Sequence, residues 1–191
     1  MSDGRRLWTG DRRRQAVLAA AAAEFARHGL AGASTATIAQ RAQIAHSYLF
    51  KLFDTKVALF LATTDHVYDR ISERFRLAAA QRPGDPLDAM AAAYRAMLGE
   101  RDDLLMLLHG FAAAGDPRIG PLVRSRYADL YMQVRTDAGA TDERMRAFWA
   151  HGMLLTVAAA IELPLMSGEQ AWVATVLQGG ADAPGGTREG G

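Results

Sequence analysis

The chain has 191 residues, half of them apolar, enough to pack a core and too many for a disordered polymer. It contains no cysteine, which excludes disulfides and thiolate metal sites. No run approaches the roughly 18 consecutive apolar residues of a membrane span, and residues 1–10 lack the apolar centre of a secretory signal; a cytoplasmic protein with no membrane partner is expected.

The net charge of +1 conceals an asymmetry. Residues 1–60 carry nine basic side chains against four acidic ones, a net +5, and the remainder is therefore net −4. A basic head suits a partner rich in phosphate, because neutralising phosphate dominates nucleic-acid affinity. Clustered, solvated arginines give the same pattern, so charge alone does not decide.

No alternating run of β-branched residues marks a strand, and the expected class is all-α. Val17, Leu18, Ala21, Ala22 and Phe25 form one face of a first helix that stops at Gly29. Ser34 caps a short second helix ending near Ala42, and a third covers about Ala45 to Leu52. Asp54 is expected to cap a long fourth helix to about Gln81, roughly 28 residues and 40 Å. Asp85-Pro86 and Asp116-Pro117 each read as an N-cap followed by proline at the first helical position, opening helices over about 86–98 and 117–138. Between them Asp102 to Ala114 is apolar all round and therefore buried. Thr141 caps the next helix, which Pro164 stops. Ser167 to Gln170 has capping-box spacing before a last helix of about ten residues. From Gly179 onward the composition is that of a flexible tail. The organisation expected is residues 1–53 as a three-helix helix-turn-helix domain with an N-terminal arm, 54–178 as a helical bundle, and 179–191 as the tail: about nine helices.

The segment from Thr35 to Lys56 carries the functional pattern. Ile38, Ala42, Ile44, Leu49 and Leu52 occupy the positions that must be apolar in a helix-turn-helix. Ala39 is small where the two helices approach closest. An amphipathic hairpin that binds a protein partner instead of DNA reproduces part of this spacing, so that alternative stays open. An enzyme on a helical bundle is the other alternative. Against it, the five histidines have no metal-ligand spacing and no glycine-rich phosphate loop follows a strand. The expectation is no enzyme, no cofactor and no metal.

Residues 12–60 also resemble the N-terminus of the TetR-type bacterial transcriptional regulators. The likeness lies in an alanine-rich first helix ending Phe25-x-x-x-Gly29, in Ile38-Ala39 before the turn, and in the block Leu49-Phe50-Lys51-Leu52-Phe53-Asp54-Thr55-Lys56-Val57-Ala58-Leu59. The resemblance implies a homodimeric regulator, usually a repressor, that binds palindromic operator DNA and is released by a small-molecule effector. Four residues depart from the family pattern: Gln43 replaces the turn glycine, Ala45 the serine cap of the recognition helix, Ser47 a glycine, and Phe50 a phosphate-binding tyrosine.

The resemblance assigns candidate roles. His46, Ser47, Tyr48 and Lys51 stand at the start of the recognition helix, within reach of base edges or phosphates. Lys56 matches a phosphate-binding lysine, and Ser34 and Thr35 sit at a helix N-terminus suited to a phosphate oxygen. Arg5 and Arg6 fall on the arm, where a minor-groove role competes with no contact at all. For Ser34 the plain reading is an N-cap, for Tyr48 packing on the first helix, and for the lysines solvation. Tyr94, Met97, Leu105, His109, Tyr127, Trp149 and Met153 are candidate ligand-pocket residues, each equally readable as core. Phe148, His151, Leu155, Ala158, Ala159 and Glu162 are the candidate dimer face of the eighth helix.

Overall fold

A computed structural model describes residues 3–166 and 171–178. The described residues form nine α-helices and no strand, so the all-α expectation holds. They are α1 (Asp3–Gly32), α2 (Thr35–Arg41), α3 (His46–Leu52), α4 (Lys56–Gln81), α5 (Pro86–Ala96), α6 (Asp102–Ala113), α7 (Gly120–Ala138), α8 (Asp142–Ala160) and α9 (Ala171–Gln178). A 3₁₀ turn, Met97–Glu100, follows α5, and another, Leu163–Met166, follows α8. The capping-box segment Ser167–Gln170 and the glycine-rich tail lie outside the described residues. α1 takes in the segment expected as an arm. Among the described residues no helix is long and apolar enough to cross a membrane.

Side-chain caps set four of the helix starts. Ser34 accepts from the Thr37 amide, Asp85 from Asp88 and Thr141 from Arg144. Each satisfies one of the amides a helix start leaves open, worth about 1 kcal/mol. The cap of α4 is Thr55, which accepts from Ala58, rather than the expected Asp54. Asp116-Pro117 opens a turn and not a helix. The Asp116 carboxylate accepts from the Arg118 amide at 2.8 Å and pairs with the Arg118 guanidinium, folding the chain back on itself. α7 therefore starts only at Gly120, where a Cβ would lie 2.4 Å from the Ala114 carbonyl oxygen. Glycine is the one residue that fits there.

α1 leaves helical geometry at Gly29, where φ is +63°. Its expected stop is thus a sharp kink, with the His109 imidazole packed where a Cβ would stand.

One continuous core runs from the N-terminal helices into the body. Val17, Ala21 and Phe25 of α1 meet Ile38, Ala39 and Leu49 beneath the short helices, and Leu59, Phe60, Val67 and Ile71 carry the core along α4. Phe25 and Phe60 join the two parts by an edge-to-face contact, ring centres 5.1 Å apart. The 26-residue α4 is the spine, one end in the three-helix head and the other beside α5 and α7.

Candidate nucleic-acid interface and internal cavity

The two short helices form a helix-turn-helix whose inner face is closed and outer face open. Ile38 and Ala39 from α2 and Leu49 from α3 are buried against α1, with Ala42, Ile44 and Leu52 packed at their edge. The six positions expected to pack do so. Outward from this core, His46, Ser47 and Lys51 are exposed, and Ser34, Thr35, Tyr48 and Lys56 are half-buried.

The turn between α2 and α3 is left-handed at residue 43. Gln43 has φ +55°, the left-handed region, where a non-glycine residue costs about 1 kcal/mol. Ala45 provides no side-chain cap to α3. A different contact links the starts of the two helices: His46, the first residue of α3, joins its Nε2 to Thr35 Oγ1 at 2.9 Å. The same imidazole stacks edge-on to Phe50, ring centres 5.1 Å apart. The Phe50 ring is 39% exposed and so lies on the open side.

Two further contacts hold the head together, and neither was expected. Glu24 of α1 is buried, and its Oε1 accepts from the Ser34 amide at 3.0 Å. The Arg41 guanidinium stands 3.2 Å from its other oxygen. A single carboxylate therefore clamps both ends of α2 to α1. The available signal was a lone acid on the apolar face of α1, between Ala21 and Phe25. The second contact is the Lys56 ammonium, which donates to the Ala31 carbonyl oxygen at 2.9 Å. That places a cation at the negative C-terminal end of α1. Arg14 lies over the Phe53 ring, 4.7 Å from its centre, fixing another basic group beside α3.

The body holds a cavity of about 270 Å³, open to solvent on one side, among α4, α5, α6, α7 and α8. Four of the seven candidate pocket residues line it: Tyr94, Tyr127, Trp149 and Met153. The other three do not. Met97 is fully buried core, and Leu105 packs away from the cavity on α6. His109 turns toward α1, where its Nε2–H donates to the Ala26 carbonyl oxygen at 3.1 Å. Helical spacing placed these residues on an inward face. Which inward face meets the cavity depends on how the helices pack.

The expected dimer face is corrected in the same way. Phe148, His151 and Leu155 line the cavity, and Ala158 and Ala159 are buried within the protomer. Leu155, Ala158 and Ala159 are thus buried, and Phe148 and His151 are half-buried. Glu162 is exposed and pairs with Arg101 at 2.5 Å. Beside Met153 at the cavity, α8 leaves Leu154 and Val157 in solvent, and Ile161 at its C-cap, Leu165 and Trp172 are exposed beyond it. Leu154, Val157 and Ile161, three and four residues apart, make one stripe along the helix.

Comparison with known proteins adds to this geometry. Residues 17–63 match the sequence profile of bacterial regulatory proteins of the tetR family. The fold is shared with a TetR family transcription regulator from Marinobacter aquaeolei VT8, at 19% identity and a TM-score of 0.62, over 90% of this chain and 94% of that one. It is also shared with a TetR-like transcriptional regulator from Rhodococcus sp. RHA1, at 19% identity and a TM-score of 0.58, over 87% of this chain and 93% of that one. No curated protein matches the sequence.

Proposed function

Starting from a chain whose helix-turn-helix is that of the tetR family of bacterial regulatory proteins, we propose that it is a cytoplasmic transcriptional repressor. It binds a palindromic operator in double-stranded DNA as a homodimer and lets go when a small molecule fills the cavity of its body.

The observation that carries this reading is the seating of α3. Leu49 anchors it in the core while His46 and Ser47 of its first turn and Lys51 of its last project into solvent at the basic end of the chain. A helix held by its inner face with a polar, cationic outer face enters the major groove without disturbing the fold. In this reading His46, Ser47 and Tyr48 approach base edges. Lys51, Lys56 and the hydroxyls of Ser34 and Thr35 meet phosphates, which position the helix but carry no sequence information.

A dimer follows from the exposed stripe of α8. Leu154, Val157 and Ile161 of two copies cover one another across a two-fold axis, and Leu165 and Trp172 extend the patch. Two readers then meet successive major grooves about 34 Å apart. Coupling runs through α4, because Tyr68 and Phe75 line the cavity on the helix that begins at Lys56 beside α1. A ligand that favours one position of α4 changes the spacing of the readers. Unequal affinity for the two positions is the requirement for any regulation.

Selection from a random duplex library tests the reading. Recovery of a two-fold symmetric site with half-site centres one helical turn apart supports it. A recovered pool without enrichment overturns it and leaves the partner-binding hairpin.

A further inference from the structure

The cavity wall is unusual in composition. Phe111, Tyr127, Trp149, Phe148, Phe75 and Tyr94 touch in series, each ring centre within 6.0 Å of the next. Three of these contacts are edge-to-face and two are tilted. Rings locked in this way keep their rotamers, so the wall is pre-shaped and flat-sided rather than adaptable.

Two polar atoms on different helices lack partners. The Tyr68 hydroxyl, on α4, and the His151 Nε2, on α8, are both buried and bonded to nothing, although each residue lines the cavity. Tyr68 is 2% exposed. The contrast with Tyr94 is direct, for its hydroxyl is satisfied by Thr156 Oγ1 at 2.7 Å. A buried hydroxyl without a partner is costly, and on a cavity wall it marks where a ligand acceptor belongs.

The four charged side chains that line the cavity, Asp88, Arg95, Glu143 and Arg144, sum to zero charge, and the two of them that form ion pairs do so with residues outside it. Arg144 pairs with Asp85, Asp88 with Arg82, and Arg95 donates to the Leu177 carbonyl oxygen. Burial, with Arg95 nearby, holds His151 below its ordinary pKa and so neutral, and burial pushes the Tyr68 phenol up and keeps its proton. Neither group offers a charge to a ligand. The volume sets the size. An apolar cavity of about 150 Å³ holds benzene, so 270 Å³ fits a fused pair of rings.

We infer that this cavity binds an uncharged, flat, two-ring aromatic molecule whose polar substituent accepts the Tyr68 hydroxyl proton in a hydrogen bond and whose opposite edge meets His151. The inference rests on reading the cavity as the effector site, and it narrows that effector to one chemical class.

Calorimetry on the full chain without DNA tests it, with 2-naphthol as probe and 2-naphthoate and decanoate as comparators at neutral pH. One 2-naphthol binds per chain with a dissociation constant on the order of 100 µM or tighter, and both anions bind at least about tenfold more weakly. Tyr68→Phe keeps the ring, melts no lower than wild type, and weakens 2-naphthol about tenfold. No binding of 2-naphthol, a preference for decanoate or naphthoate, or unchanged affinity in Tyr68→Phe overturns the inference. A parallel DNA titration separates it from the regulator reading. If operator binding holds while 2-naphthol fails, only the ligand class falls. If 2-naphthol binds as described but leaves DNA bound, the ligand class stands and the release mechanism falls.

Discussion

Replacing Glu24 probes how the reader is held, and the structure gives its magnitude. In Glu24→Ala the Ser34 amide loses its acceptor at 3.0 Å and Arg41 loses the carboxylate at 3.2 Å. A buried hydrogen bond to a charged group contributes about 1.5–3 kcal/mol. The Arg41 contact adds little, because that side chain is 39% exposed and screened by solvent. Alanine returns a few tenths of a kcal/mol through its higher helix propensity. The expected net loss is about 2–3 kcal/mol, a fall in Tm of roughly 5–10 °C for a chain of this size. Glu24→Gln retains an acceptor for Ser34 and should lose about half as much. Thermal unfolding followed by circular dichroism measures both, and DNA affinity should fall in the same order, since Glu24 orients α2 beneath α3. A Tm for Glu24→Ala equal to wild type, or a glutamine variant less stable than the alanine one, refutes the clamp.

Three further outcomes are expected. Lys51→Ala should weaken binding to operator and random duplex alike and reduce the slope of log affinity against log salt by about one, as fluorescence anisotropy at several salt concentrations will show. Ile161→Arg, at a residue 62% exposed, should yield monomers in sedimentation equilibrium while the isolated fold keeps its Tm; a dimer that persists moves the interface off this stripe. Acidification should destabilise the protein. Burial, aided by Arg70 and Arg95 respectively, lowers the pKa of His66 and His151 from 6.5, so the folded state binds these protons less well than the unfolded chain. Their contribution is present above pH 6.5 and is lost as pH falls through the lower folded values. Replacing both by Gln should flatten the decline in Tm between pH 7 and pH 5, and an unchanged slope assigns it elsewhere.

What was legible in the sequence was local. Ser34, Asp85 and Thr141 announce their helices because an N-cap is a contact between near neighbours. Gln43 announces strain because the turn fixes its backbone, and Ile38, Ala39 and Leu49 declare an inner face by periodicity. The failures arise where composition and periodicity fit more than one arrangement and a tertiary or turn contact chooses between them. Asp116-Pro117 has the composition of a helix start, but Arg118 draws the carboxylate into a turn and the Ala114 carbonyl delays α7 to Gly120. α8 is apolar nearly all round from Phe148 to Ala160, so no period distinguishes its cavity side from its solvent side, and most of the residues expected at a dimer face line the cavity or pack in the core. His109 reads equally well toward the cavity or toward α1, and the kink at Gly29, where there is no Cβ, makes room for it beside α1. Glu24 reads as one acid in an alanine-rich helix because its partners, Ser34 and Arg41, lie beyond α1.

The most direct test of the central claim is a titration of the intact protein into duplex DNA flanking its own gene, read by anisotropy at low and moderate salt with random duplex as competitor. Tight binding that resists the competitor, weakens steeply with salt and saturates at two chains per site is the predicted result. Saturable binding that ignores salt, or affinity equal to that for the competitor on every flanking fragment, contradicts a repressor that reads DNA through α3.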